Sequence, residues 1–196
     1  MNFLAHAWLS GDNAMVMAAN VTGDAFKGSI GDHFPAHFKA GLQLHRFIDR
    51  YTDTHADFKQ AVTLLKPFYG RYSGVALDVW LDYILASEFH LHHSNELRFF
   101  TNRVYQTLTS HTEWMNAEAR GIARFMIDHD WLYQYASRNY MENVMERMAK
   151  RFEAPALANG GHPPMETLEQ IRLIFNQLSN ELVDTSNKKL VELLNL

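Results

Sequence analysis

In the stretch LHRFIDRYTDTH, His45, Asp49 and Asp53 recur at i, i+4 and i+8. On a helix each step of four turns only about 40° around the axis, so His45 and Asp49 would stand on one face about 6 Å apart. An imidazole and a carboxylate so placed can share a metal ion or form a solvated helix-surface pair. The flanks favour the ion: Leu42, Leu44, Phe47 and Ile48 surround His45, so this face is half buried, and ionisable groups buried without a partner are costly. A second pair, Asp78 and Asp82 in LDVWLDYIL, has the same spacing on a segment that otherwise reads as core. Two carboxylates on one apolar helix repel unless they are protonated, bind a cation or pair with an arginine such as Arg46, Arg50 or Arg71. Metal or catalytic use and arginine pairing both remain open for them. Near the start, His6, Asn20 and Asp24 add similar polar groups. Gly23 just before Asp24 lets the backbone approach a ligand closely, and Lys27 offers positive charge to a phosphate or is simply solvated.

The remaining histidines carry less. His90, His92 and His93 in EFHLHHSNE are spaced by one and two, which scatters side chains around a helix and reads as a surface cluster. His33, His37, His111, His129 and His162 read as loop or surface residues. Trp80, Trp114, Trp131 and Tyr135 read as core filling. No glycine-rich phosphate motif and no nucleophile elbow is present, so nucleotide-dependent kinase and serine-hydrolase readings fall away. The chain has no cysteine, which excludes thiolate nucleophiles, disulfides and Cys-ligated metals and leaves His, Asp and Glu as ligands.

The elements that must position these groups are helical. Leu168, Ile171, Phe175, Leu178 and Leu182 are spaced by three and four as one buried helical face requires. Leu42, His45, Ile48 and Asp49 follow the same spacing, and Leu77, Leu81, Ile84 and Leu85 mark a third helix containing Asp78 and Asp82. No segment alternates like a half-buried strand for long. Pro35, Lys66 to Tyr72 (KPFYGRY) and Glu153 to Pro164 (EAPALANGGHPP) read as loops, because proline cannot continue a helix and glycine weakens one. With 196 residues, 47% of them hydrophobic, the expectation is all-α: one helical bundle domain over residues 1–196, of roughly seven to nine helices. A net charge of −4 gives no global attraction to nucleic acid or an anionic membrane. No apolar run has the length of a membrane span, and the N-terminus lacks the basic start of a secretory signal. A cytoplasmic protein is the simplest expectation.

Taken in order, MNFLAH, GDAFKG, GLQLHRFIDRYTDTH and LDVWLDYIL, followed more weakly by WLYQYASRNYMENVMERMAKR, resemble the acyl-carrier-protein phosphodiesterase family, which looks like a distant, all-helical member of the HD-type metal phosphohydrolases. The resemblance implies hydrolysis of the phosphodiester joining 4′-phosphopantetheine to a serine of holo-acyl carrier protein, with manganese or another divalent cation such as magnesium. The family motifs fall on His6, Asp24, His45, Arg46, Asp49, Thr52, Asp53, Asp78 and Asp82. The chain departs from the pattern at Tyr83 and Glu88, where the family commonly has histidines, and at Phe89, where tryptophan is frequent. The resulting expectation is that Asp24, His45, Asp49 and Asp82 hold one or two divalent cations. His6 or Asp78 would move protons, and Lys27 or Arg46 would neutralise developing charge. An HD-type phosphohydrolase of a nucleotide or other small phosphodiester, or a helical binding protein without catalysis, would use the same residues differently. From Lys39 to Arg71 the chain carries six basic residues (Lys39, Arg46, Arg50, Lys59, Lys66, Arg71) against Asp49, Asp53 and Asp57, a local positive region suited to an acidic protein partner.

Overall fold

The computed structural model describes residues 2–159 and 162–195. Along the chain run α1 (Phe3–Trp8), α2 (Ala14–Val21), α3 (Ala36–Thr54), α4 (Ala56–Tyr69), α5 (Ser73–Ser87), α6 (Phe89–His92), α7 (Leu97–Ser110), α8 (Ala117–Asp128), α9 (Trp131–Gln134), α10 (Arg138–Arg151), α11 (Ala156–Asn159) and α12 (Met165–Leu194). Three single 3-10 turns join them at Gly23–Ala25, Gly70–Tyr72 and Thr112–Trp114. No strand occurs among the described residues, so the protein is all-α. There are more helices than the sequence periodicity suggests because α6, α9 and α11 are single turns, too short to show a repeating face.

The three periodic segments are helices as expected. Leu168, Ile171, Phe175, Leu178 and Leu182 are all buried along α12, which lies across α3, α4 and α5. Pro35 ends the loop before α3, its missing N–H falling where a helix start has no partner for one. Two loop expectations are corrected. Lys66 to Tyr69 is helical despite Pro67 inside α4, because Leu65 and Tyr69 are fully buried. The Tyr69 hydroxyl accepts from Trp80 Nε1 at 3.0 Å, so burial of this last turn outweighs the hydrogen bond lost at proline. The helix then ends at Gly70 with φ +53°, a left-handed conformation that glycine adopts without strain. Within Glu153 to Pro164, residues 156–159 form α11, with Leu157 buried; Gly160 and Gly161 lie outside the described residues.

Helices α2 and α3 pack most extensively. A Cβ at Gly41 would stand 2.4 Å from the Val16 carbonyl oxygen and 2.6 Å from Ala19 Cβ, so glycine permits the close approach of the two backbones. Helix α1 is wedged between α2 and α5 and is too short to be stable alone. Among the described residues no helix is long and apolar enough to cross a membrane.

Candidate metal centre

Two helices, α1 and α3, bring three polar groups to one point. His6 from α1 and His45 from α3 are buried, and Asp49, one turn beyond His45, is half buried. The two imidazole rings stack with centroids 4.2 Å apart. His6 Nε2 lies 3.1 Å from Asp49 Oδ1 and His45 Nε2 3.2 Å from Asp49 Oδ2. One donor atom from each of the three residues falls within 4.8 Å of the other two.

Asn20, fully buried in α2, decides the protonation of both rings. Its amide Nδ2 donates to the His6 carbonyl oxygen and to Ser10 Oγ, both at 2.9 Å, and Ser10 Oγ itself donates to the same carbonyl at 2.7 Å. This fixes the amide orientation, so Asn20 Oδ1 is the acceptor facing His6 Nδ1 at 2.8 Å. The Asn20 backbone oxygen likewise accepts from His45 Nδ1 at 2.9 Å. Both histidines therefore carry their proton on Nδ1, and when neutral both present a bare Nε2 lone pair to the Asp49 carboxylate. Lone pairs facing lone pairs at these distances repel unless something positive lies between them. Protons serve poorly. Burial drives His6 down to about 4, with Asp49 pulling it up and His45 pushing it down, and two imidazolium ions stacked at this separation repel by about 4 kcal/mol at an effective dielectric of 20. A divalent cation satisfies all three groups. Imidazole nitrogens held by second hydrogen bonds, together with a carboxylate, are a donor set that a divalent metal ion can accept.

The site's rim is exposed. Asp24, in the turn after α2, places Oδ1 at 3.6 Å from His45 Nε2 and 3.7 Å from Lys27 Nζ. A hydrogen bond from His45, present when its ring is protonated, holds the Asp24 carboxyl down at about 2, against the opposing effect of burial. Asp49 is also held below the usual carboxylate range: burial works against its charge, and the hydrogen bond from His6 and the positive charge that His6 and His45 carry when protonated outweigh it. The Asp24 turn is fixed from two sides, by Asn116 Nδ2 donating to Ala25 O at 2.8 Å and by the Arg46 guanidinium donating to Phe26 O at 3.0 Å and Gly28 O at 2.7 Å. Gly23 is required here, since a Cβ would meet His45 Cγ at 2.3 Å.

The other expected site residues lie elsewhere. Asp82 is fully buried on α5, where its Oδ2 and Oδ1 accept from the backbone N–H groups of Leu4 and Ala5 at 2.9 and 3.1 Å. These are orphan donors of the first turn of α1, whose own Asn2 side chain does not cap it. Asp82 thus holds the helix that carries His6 rather than joining the cluster. Its burial raises the carboxyl to about 7 against those two amide donors. Asp78, one turn earlier, is raised by burial and by the charges of Asp49 and Asp53. Arg46 has its guanidinium engaged with loop carbonyls and so positions the Lys27 loop. Thr52 Oγ1 donates back to the carbonyls of Ile48 and Asp49 at 3.1 Å each. His6, expected as a proton carrier, supplies a donor atom to the cluster instead. The central role of Asn20 was missed. A lone Asn in the apolar helix AMVMAANV was its signal, since a buried amide needs several partners.

The model of the family described as acyl carrier protein phosphodiesterase matches residues 1–182. The chain belongs to this family. It is similar to an acyl carrier protein phosphodiesterase of Yersinia pestis, 29% identical over 180 residues that cover 89% of this chain and 93% of that protein. A Photorhabdus laumondii subsp. laumondii relative of the same name is 26% identical over 167 residues, covering 85% and 84%. One from Escherichia coli O139:H28 is 25% identical over 152 residues, covering 77% and 79%. No solved structure matches significantly.

Proposed function

We propose that this member of the acyl carrier protein phosphodiesterase family is a cytoplasmic, divalent-metal-dependent hydrolase. It removes 4′-phosphopantetheine from holo-acyl carrier protein and yields the apo-carrier. Manganese is the preferred cation and magnesium the alternative, since two imidazole donors suit manganese better than the smaller, oxygen-seeking ion. The observation that carries the metal requirement is the pair of buried imidazoles, both clamped at Nδ1 by Asn20 and both turning Nε2 to one carboxylate. The substrate assignment is supported by the family and by the names of its similar members.

His6, His45 and Asp49 would hold the cation, with Asp24 reaching it from the open side. When bound, it would polarise a phosphoryl oxygen and lower the pKa of a water towards neutrality. Water oxygen then bonds to phosphorus as the bond from phosphorus to the serine oxygen breaks, and that oxygen takes up a proton. Asp24 is ionised at neutral pH, so it orients water or accepts its proton and cannot donate one. The serine oxygen, on the exposed side with the carrier body, takes up its proton from solvent water. Lys27, exposed at the rim, places positive charge where negative charge grows on the phosphoryl group. The test is incubation of the manganese-loaded protein with holo-carrier, followed by intact mass measurement. Conversion to apo-carrier is expected, and an unchanged carrier in the presence of protein that binds manganese contradicts the proposal.

A further inference from the structure

A cavity of about 70 Å³ lies between the end of α3, α4 and the start of α5. A single water needs roughly 10–15 Å³ of such space, so the cavity holds a handful of heavy atoms and no protein segment. Phe58, Val62, Leu77 and Leu81 give it apolar lining, and Thr52, Asp53, Lys59 and Asp78 supply polar groups. Its α3 wall, Thr52 and Asp53, begins one helical turn beyond Asp49 of the proposed metal centre. Asp53 is one helical turn beyond Asp49 on the same face of α3, and Thr52 Oγ1 is hydrogen-bonded to the Asp49 carbonyl at 3.1 Å.

Resting on the reading above, we infer that this cavity receives the first atoms of the substrate's pantetheine arm, next to the phosphate. A scissile diester has two substituents here, a folded carrier protein and a thin chain, and only the thin chain fits so small a space. The arm begins with a methylene and a carbon bearing two methyl groups, followed by a carbon bearing a hydroxyl and by an amide. The four apolar side chains match the methyl groups. Thr52, Asp53 and Lys59 match the hydroxyl and the amide, since an amide and a hydroxyl both donate and accept. The cavity is thus the element that distinguishes an arm-bearing phosphodiester from any other, and it leaves the carrier body on the exposed side where Asp24 and Lys27 stand.

Gly74, in the first turn of α5, lines the cavity, and a Cβ built there meets nothing within 4 Å. The first side-chain carbon at residue 74 thus has room, and Gly74→Leu narrows the cavity from the α5 wall as Val62→Phe does from the α4 wall. The manganese-loaded full-length protein and both variants would be titrated calorimetrically with 4′-phosphopantetheine and with inorganic phosphate, and assayed on holo-carrier and on bis(p-nitrophenyl) phosphate, which has no arm. The wild type is expected to bind phosphopantetheine at least tenfold more tightly than phosphate. Either variant should remove most of that preference and lower the ratio of kcat/KM for carrier over the arm-free diester at least tenfold. Equal preference in the wild type and in both folded variants overturns the inference. The binding measurement reads the cavity whether or not carrier is cleaved, so a failed subsite and a failed activity assignment give different results.

Discussion

Asn20 is the residue on which the proposed metal centre turns, because it sets the tautomer of both histidines through one side-chain and one backbone acceptor. Asn20→Ala removes the clamp on His6 while leaving the His45 acceptor in place. Manganese affinity is expected to fall about 10–100-fold, the usual effect of losing a group that orients a ligand; an unchanged calorimetric Kd in a folded variant contradicts this role. Gly23 acts on the same site by size alone. Gly23→Ala drives a methyl into the His45 ring, so metal binding should weaken even where circular dichroism shows an intact helical fold. The His45 and Asp49 pair was legible in the sequence because i,i+4 spacing places the two groups together without knowledge of the fold. The contribution of His6 was not, since the distance from residue 6 to residue 49 closes only when α1 packs between α2 and α5.

At the scale of elements, the acidic pair on α5 divides its labour in a way that spacing alone could not reveal. Asp82 points to the start of α1 and serves as its cap from another helix, while Asp78 lines the cavity. Asp82→Asn keeps one acceptor but sets an NH2 group against the second backbone N–H, and should destabilise the fold by about 1–3 kcal/mol at acidic pH. The pH dependence has a definite sign. Because the folded carboxyl is raised to about 7, its favourable contribution is complete below the unfolded carboxylate range near pH 4. It is lost as pH rises to about 7, over a span of roughly 4 kcal/mol. The wild type's advantage over Asp82→Asn, measured by urea unfolding in chelator, should therefore be larger at pH 5 than at pH 7.5; an advantage that grows with pH contradicts it. Helix existence was readable from periodicity in α3, α5 and α12. The Lys66 to Tyr69 turn and α11 were not, because burial of Leu65, Tyr69 and Leu157 overrode the local signals of proline and glycine.

For the molecule as a whole, the net charge of −4 hides a surface of mixed sign. Of the basic residues between Lys39 and Arg71, Lys39 is paired with Asp32 at 2.8 Å and Arg46 holds loop carbonyls, whereas Arg50, Lys59, Lys66 and Arg71 are exposed. If these four steer an acidic carrier, the apparent KM should rise several-fold between low and moderate ionic strength with little change in kcat; a flat KM contradicts the steering. The claim on which the rest depends is that one divalent cation occupies the His6, His45 and Asp49 cluster. Calorimetric titration of metal-free protein with manganese, comparing the wild type with Asp49→Asn, tests it most directly, because the substitution keeps size and removes the charge that both imidazoles face. The expected result is one manganese per wild-type chain and at least tenfold weaker binding in the variant, with both chains folded by circular dichroism. A folded Asp49→Asn chain that binds manganese with undiminished affinity and stoichiometry contradicts the account.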